Sequence, residues 1–155
     1  MGIKSFQAPL SLKSKKTYQD ILVKDYMSKN VTTFVKSDCI YDVMRVLLAK
    51  KISGAPVVNK YGKLVGIISE SDLMKNIVDG QYYNMPISNT KVSKYMKKSV
   101  DFINPEITIF EAASRFLKLK RKRFPVIQSN KIVGIISRID IIYASLKTRS
   151  QMWRA

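Results

Sequence analysis

Apolar residues recur at a helical period in two separate stretches of the chain. In residues 40–50 they stand at positions i, i+3, i+4, i+7 and i+8, as Ile40, Val43, Met44, Leu47 and Leu48. Residues 109–119 repeat that spacing with Ile109, Ala112, Ala113, Phe116 and Leu117. This period places one apolar stripe along a helix, so each stretch predicts an amphipathic helix.

Two short apolar runs follow each of these helices. APVV and LVGIIS follow the first helix, and FPVI and IVGIIS follow the second, each pair joined by a short polar turn. Such pairs predict β-hairpins. Brief strands are expected at 31–34 and 100–103, and short helices at 21–27 and 92–96. A last helix is expected to begin at GIISESD and again at GIISRID, which gives the order β-α-β-β-α twice.

The two halves of the chain are copies of one unit. Residues 23–27, 40–50 and 55–58 align with 92–96, 109–119 and 124–127 at an offset of 69. Residues 64–72 align with 132–140 at an offset of 68, and the lost residue falls in the hairpin turn. A turn is where a deletion is tolerated best, so the repeat survives the change in offset.

The repeat predicts where the chain divides. We expect a basic N-terminal tail at 1–19, a first motif at 20–78, a linker at 79–91, a second motif at 92–146 and a C-terminal tail at 147–155. Gly80 and Pro86 are expected to break helices within the linker.

The element order, the proline of GAPVV and RFPVI, and the phrase G-I-I-S-x-x-D together resemble the cystathionine-β-synthase (CBS) domain. Two such motifs in tandem form a Bateman module, and the resemblance covers about residues 21–146. It implies an α+β fold in which the two motifs pack as a pseudo-twofold disc. It also implies two clefts that often bind an adenine nucleotide (AMP, ADP or ATP), and a homodimer.

The phrase S-x-x-D occurs once in each motif, as Ser69 with Asp72 and as Ser137 with Asp140. One interpretation is a helix cap, because this spacing resembles a capping box. The other is a ligand site, because a helix N-terminus presents free N–H groups to phosphate. The resemblance implies that the serine contacts phosphate and that the aspartate holds the ribose diol. The two interpretations are compatible, and both remain open.

Basic residues before the second proline suggest that the two sites differ. The resemblance implies phosphate contacts from Lys122 and Arg123, whereas the first motif has Ser and Gly at those positions. We therefore expect stronger phosphate binding beside Ser137, with Arg138 as a further candidate. Its counterpart Glu70 would repel phosphate. The alternative is that the run KLKRKR is a solvated helix end.

The resemblance also implies that backbone groups and apolar walls near the first strands recognise the base. The candidates in these regions are Thr32, Thr33, Ala55, Val100, Asp101 and Phe124. All of them except Asp101 have an alternative role as strand and core residues.

Composition narrows the possible functions. The chain of 155 residues carries 28 basic and 11 acidic residues and no histidine, for a net charge of +17. Such a charge attracts anions, whereas the lack of histidine argues against common acid–base catalysis and most zinc sites. We expect no enzymatic activity, no catalytic residues and no metal site. No apolar run approaches the ~20 residues of a membrane span, and the single Cys39 favours a cytoplasmic location.

The sequence thus predicts a regulatory module that senses an adenine nucleotide and acts on an unknown effector protein, without a required cofactor. The alternative is a nucleic-acid-binding protein that uses the CBS pair as a basic scaffold.

Overall fold

The structure, a computed structural model, describes residues 21–84 and 89–153. The tail at 1–19 lies outside these ranges, as do residues 85–88 of the predicted linker. Within them the order is α1 (Val23–Tyr26), α2 (Ile40–Lys50), β1 (Gly54–Val58), β2 (Leu64–Ser69), α3 (Glu70–Tyr83), α4 (Val92–Tyr95), α5 (Ile109–Leu119), β3 (Arg123–Gln128), β4 (Lys131–Ser137) and α6 (Arg138–Trp153). The predicted α+β architecture with a repeated unit is confirmed.

Both predicted hairpins form. β1 pairs with β2 and β3 with β4, each antiparallel. The registers correspond, since Gly54 lies opposite Ser69 and Arg123 lies opposite Ser137. Each hairpin therefore ends with its serine at the start of the following helix.

The two brief strands expected at 31–34 and 100–103 are shorter than predicted. Only Phe34 and Ile103 pair, as isolated parallel bridges to Val57 and Val126. The β-branched residues favour an extended chain. However, only the last residue of each run lies beside a hairpin strand, so no longer ladder forms.

Two helices are longer than predicted. α3 continues through Gly80 to Tyr83, so the expectation that Gly80 breaks a helix is wrong. One glycine costs a helix only about 1 kcal/mol relative to alanine, and the helix instead ends at Asn84, whose φ is 50°. α6 runs to Trp153, so most of the predicted C-terminal tail is helical. Thr148, buried in this extension, donates to the carbonyl oxygen of Ala144 at 2.8 Å.

The two repeats exchange their opening helices. The backbone N–H of Val23 in α1 donates to the carbonyl oxygen of Ile107 in the second repeat, and that of Val92 in α4 donates to Asp38 in the first, both at 2.9 Å. Val23 completes the second apolar core, around Ile103, Phe116, Phe124, Val126 and Ile136. Val92 and Met96 complete the first, around Val43, Leu47, Val57 and Ile68. Each core is therefore built from both repeats.

The glycine of each GIIS phrase allows this exchange. The segment after each opening helix crosses the last strand of the other repeat, as Ser28 bridges Ile135 and Lys97 bridges Ile67. A Cβ atom on Gly66 would lie 2.8 Å from the carbonyl oxygen of Lys97, which is closer than real Cβ atoms come. A Cβ atom added to Gly134 would likewise lie too close to Met27, in the corresponding segment of the first repeat.

None of the helices in the described ranges combines the length and the apolar character that a membrane span requires.

Candidate functional site

The two S-x-x-D phrases form the same helix cap. Oδ2 of Asp72 accepts from the backbone N–H and from the hydroxyl of Ser69, both at 2.9 Å. Oδ2 of Asp140 accepts from the same two groups of Ser137, at 2.7 and 2.9 Å. Both bonds use one carboxylate oxygen, so Oδ1 retains its capacity to accept from a ligand. Each aspartate can therefore hold the cap through Oδ2 and contact a ligand through Oδ1.

A cleft of about 320 Å³ opens beside the cap of α6, and we call it the Asp140 cleft. The second repeat supplies Ser137 and Asp140, and the first repeat supplies the segment from Ser28 to Thr32. Its apolar lining comes from Val31, Ile52 and Ile135, and its other members are Asn30, Gly54 and Arg123. It thus combines apolar walls with a few convergent polar groups, as small-molecule sites do.

A second cleft, of about 390 Å³, opens beside the cap of α3, and we call it the Ser69 cleft. It occupies the position related to the first cleft by the repeat, because Ser69 and Ile67 replace Ser137 and Ile135. Its lining is strongly basic. Five cationic residues face one carboxylate, that of Glu70: Lys97, Lys120, Arg121, Lys122 and Arg123.

The two aspartates are placed differently. Asp140 lines the Asp140 cleft, whereas Asp72 does not line the Ser69 cleft and is only 6% exposed. Asp72 instead borders a separate groove with Lys75, Asp79 and Lys97. Of the two predicted diol ligands, only Asp140 therefore lines one of the two named clefts, and Asp72 lines the separate groove.

Arg123 lines both clefts. Its guanidinium crosses to the first repeat, where it donates to the carbonyl oxygen of Gly54 at 3.1 Å and to Oγ of Ser53 at 2.6 Å. Burial lowers the pKa of Arg123, and the nearby Glu70 carboxylate offsets part of this effect. An anionic ligand would therefore stabilise the charged form of this half-buried guanidinium.

The side chain of Lys122 lines the Ser69 cleft, which differs from the expectation that Lys122 strengthens the site beside Ser137, although its backbone carbonyl oxygen accepts from the N–H of Arg138 at 3.4 Å. Nζ of Lys122 is 3.6 Å from Oε1 of Glu70, so Glu70 forms an ion pair in the Ser69 cleft. Nη2 of Arg121 lies 2.9 Å from Oδ2 of Asp101. Exposed pairs of this kind contribute about 0–1 kcal/mol, so a phosphate could displace them at small cost.

Of the remaining predicted residues, only Thr32 lines one of the two clefts. Nε of the exposed Arg138 donates to the carbonyl oxygen of Arg121 at 2.7 Å. Thr33 is exposed, and its neighbour Thr32 lines the Asp140 cleft instead. Ala55 and Phe124 are buried in the two cores, as the alternative for these positions predicted.

Several cleft residues were missed by reasoning from the sequence, above all Lys97. The offset of 69 aligns Lys97 with Ser28, and both residues line a cleft. The change from serine to lysine at a repeat-related position was a signal that the alignment contained.

Comparison with known proteins identifies the family. The sequence model described as the CBS domain matches residues 23–79 and 92–147. This chain therefore belongs to the CBS domain family, and it contains two CBS motifs in tandem.

Its relatives include uncharacterized protein MJ1426 of Methanocaldococcus jannaschii, 36% identical over 80% of this chain and 90% of that protein. A crystal structure of CBSX2, a CBS-pair protein from Arabidopsis thaliana, in complex with AMP has a TM-score of 0.74 at 26% identity, and it covers 83% of this chain and 98% of that one. The CBS domain pair of MJ0100 in complex with 5′-methylthioadenosine and S-adenosyl-L-methionine has a TM-score of 0.69 at 25% identity, and it covers 81% and 96%.

The chain spans 15% to 45% of the length of six other curated relatives.

Proposed function

We propose that this protein is a regulatory, non-catalytic module that binds an adenine nucleotide in the Asp140 cleft and acts on a partner protein. One observation carries the proposal: Asp140 and Ser137 of one repeat face Thr32 of the other across a cleft of about 320 Å³ with apolar walls. The complexes of CBSX2 with AMP and of MJ0100 with adenosyl compounds support this class of ligand.

Each part of a nucleotide has a matching part of the cleft. Oδ1 of Asp140 suits the hydroxyls of a ribose, since a carboxylate accepts two donors side by side. The N-terminus of α6, with the Ser137 hydroxyl and the Arg123 guanidinium, suits the first phosphate. Val31, Ile52 and Ile135 provide the apolar contact that a purine ring needs.

Regulation follows from the position of the cleft between the repeats. A ligand in it contacts segment 28–32 of the first repeat and the β4–α6 junction of the second. Binding would favour the arrangement of the two repeats in which these contacts are closest. An effector protein that binds one arrangement better would then respond to nucleotide concentration. We place this regulation in the cytoplasm, and it requires no cofactor.

Calorimetry with adenosine, AMP and ATP on the pure protein tests the proposal. We expect saturable binding of adenosine, and weaker binding of 2′-deoxyadenosine, because the deoxy compound offers Asp140 one hydroxyl fewer. Inosine tests recognition of the base. Absence of binding for all adenosine compounds at millimolar concentration would reject nucleotide sensing.

One alternative function is the binding of nucleic acid, which the basic lining of the Ser69 cleft and the net charge of +17 support. It predicts that binding of mixed-sequence RNA or DNA weakens steeply with salt, with a slope proportional to the phosphates contacted. Nucleic-acid binding that adenosine does not affect, together with no nucleotide binding, would favour this alternative.

A further inference from the structure

The Ser69 cleft has the charge of a polyphosphate site. Glu70 is its one carboxylate, against five cationic residues in the lining. Lys97 and Lys120 form no ion pair with any residue in the described ranges, whereas Arg121 and Lys122 form only exposed pairs. Cations gathered in a concave site repel one another, and an anion with several charges relieves that repulsion.

The same cleft has two apolar side chains, Ile67 and Met74, but it lacks a carboxylate equivalent to Asp140 that would suit a ribose. Asp72 is nearly buried and borders the neighbouring groove, so the carboxylate that corresponds to Asp140 is not part of the Ser69 cleft lining. Lys97 replaces Ser28 and lines both this cleft and the groove that holds Asp72. The apolar Ile52 of the Asp140 cleft corresponds to Arg121 here, at the offset of 69.

The two clefts adjoin each other. Gly54 and Arg123 line both of them. The Arg123 guanidinium, held by Ser53 and Gly54, therefore lies at the boundary between a cleft that suits a nucleoside and a cleft that suits phosphate. A phosphate chain that begins at Ser137 and passes Arg123 would enter the cationic lining.

We propose that the Ser69 cleft binds the terminal phosphates of a nucleoside di- or triphosphate whose nucleoside occupies the Asp140 cleft. Each chain then binds one polyphosphate nucleotide across both clefts, and the repeat does not yield two equivalent nucleotide sites. Arg123 contacts the phosphate next to the ribose, and Lys97 and Lys120 contact the phosphates farther along. This inference rests on the proposed nucleotide binding in the Asp140 cleft.

Calorimetry on the full chain tests it, with adenosine, AMP, ATP and inorganic triphosphate as titrants. The variant is Lys97→Ala with Lys120→Ala. The matched control is Lys60→Ala with Lys131→Ala, which removes the same charge from the first hairpin turn and from the start of β4, outside both clefts. We expect one ATP per chain. The cleft variant should weaken ATP by about tenfold or more, the loss for at least one charge-assisted contact, and should leave adenosine unchanged.

Inorganic triphosphate should compete with ATP and leave adenosine binding unaffected. Two molecules of ATP per chain, or equal ATP affinity in the parent and the cleft variant, would overturn the inference while proposed adenosine binding stands. Equal losses in the cleft variant and the control would also overturn it, since net charge alone would then explain the effect. No adenosine binding in the parent would instead reject the proposed function itself.

Discussion

The two clefts each lie beside an S-x-x-D helix start and share Gly54 and Arg123, but most of their other lining residues differ. Ser69 and Ser137 both cap a helix, and the hydroxyl of each donates to the aspartate three residues later, at 2.9 Å in both repeats. Yet one cleft has apolar walls and an accessible aspartate, and the other has five cations. The cap is thus common to both repeats, whereas the side chains around it differ.

Association of chains offers the largest expected effect. Both repeats expose apolar side chains on equivalent helices: Leu48 is 79% exposed on α2, and Leu117 is 82% exposed on α5. The neighbouring helices add exposed Met74, Ile77, Ile142 and Leu146. Patches of this kind mark interaction sites, so we expect a homodimer of twice 17.7 kDa in light scattering.

Leu48→Glu with Leu117→Glu should reduce that mass to the monomer's 17.7 kDa, because buried unpaired carboxylates are costly. Tyr61→Glu, at an exposed position in the first hairpin turn, is the control and should remain a dimer. Loss of the dimer by only one of the two single Leu→Glu variants would show that the repeats contribute unequally. A parent that is monomeric at micromolar concentration would contradict the dimer.

Removal of each cap carboxylate tests the comparison between the clefts directly. Asp140→Ala should weaken adenosine by about 1.5–3 kcal/mol, the range for a hydrogen bond to a charged group. Asp72→Ala should leave adenosine affinity unchanged, because this residue lines neither the Asp140 cleft nor the Ser69 cleft. Both variants should lose about 0.5–2 kcal/mol of stability with the cap. Calorimetry and thermal unfolding measure the two effects, and equal loss of adenosine affinity would show that the clefts are alike.

Gly66 and Gly134, which are equivalent in the two repeats, should differ in how well they tolerate substitution by alanine. Gly66→Ala places Cβ 2.8 Å from the carbonyl oxygen of Lys97, which backbone cannot easily avoid. Gly134→Ala places it nearest the flexible side chain of Met27, with the Ser28 carbonyl oxygen at 3.0 Å. We expect Gly66→Ala to cost about 1–3 kcal/mol in chemical unfolding, and Gly134→Ala less. The opposite order would contradict the geometry of the crossing.

The smallest expected effect concerns Tyr26 and Tyr95, which occupy equivalent positions in the two repeats. The Tyr95 hydroxyl donates to Oδ2 of Asp79 at 2.8 Å, whereas Tyr26 packs edge-on against the ring of Tyr143. Tyr95→Phe should cost about 0.5–1.5 kcal/mol, the value of a typical hydrogen bond. Tyr26→Phe should cost less, because a phenylalanine ring keeps the edge contact.

The difference in unfolding free energy between the parent and Tyr95→Phe should decrease as the pH rises. Burial, followed by the hydrogen bond to Asp79, raises the pKa of Tyr95 above the ordinary 10.0. A raised pKa in the folded state adds stability below pH 10.0, and this stability is lost as the pH rises through the folded value. Unfolding free energies of the parent and Tyr95→Phe should therefore converge in alkaline solution. A difference in unfolding free energy that stayed constant with pH would show that the ionisation of Tyr95 does not contribute to it.

Local patterns were sufficient to predict the helices, the hairpins and the caps, because each depends on residues a few positions apart. The contents of the clefts depend on contacts between the repeats, which no local pattern reports. Arg123 shows the distinction. Its Cα lies opposite that of Ser137, beside which the sequence predicted it, but its guanidinium also donates to Ser53 of the other repeat. The side chain of Lys122 likewise reaches Glu70 of the first repeat, a contact that no local pattern predicts.

The exchange of opening helices has a consequence for synthesis of the chain. The bond from Val23 to Ile107 joins residues 107 − 23 = 84 positions apart, and the first core needs Val92 and Met96. On the ribosome, the first repeat therefore emerges without part of its own interior. Contacts so distant in sequence slow folding, since the intervening chain must be ordered first. We expect the N-terminal half to remain sensitive to proteases until α4 has left the exit tunnel, and α1 to remain so until the second core has formed.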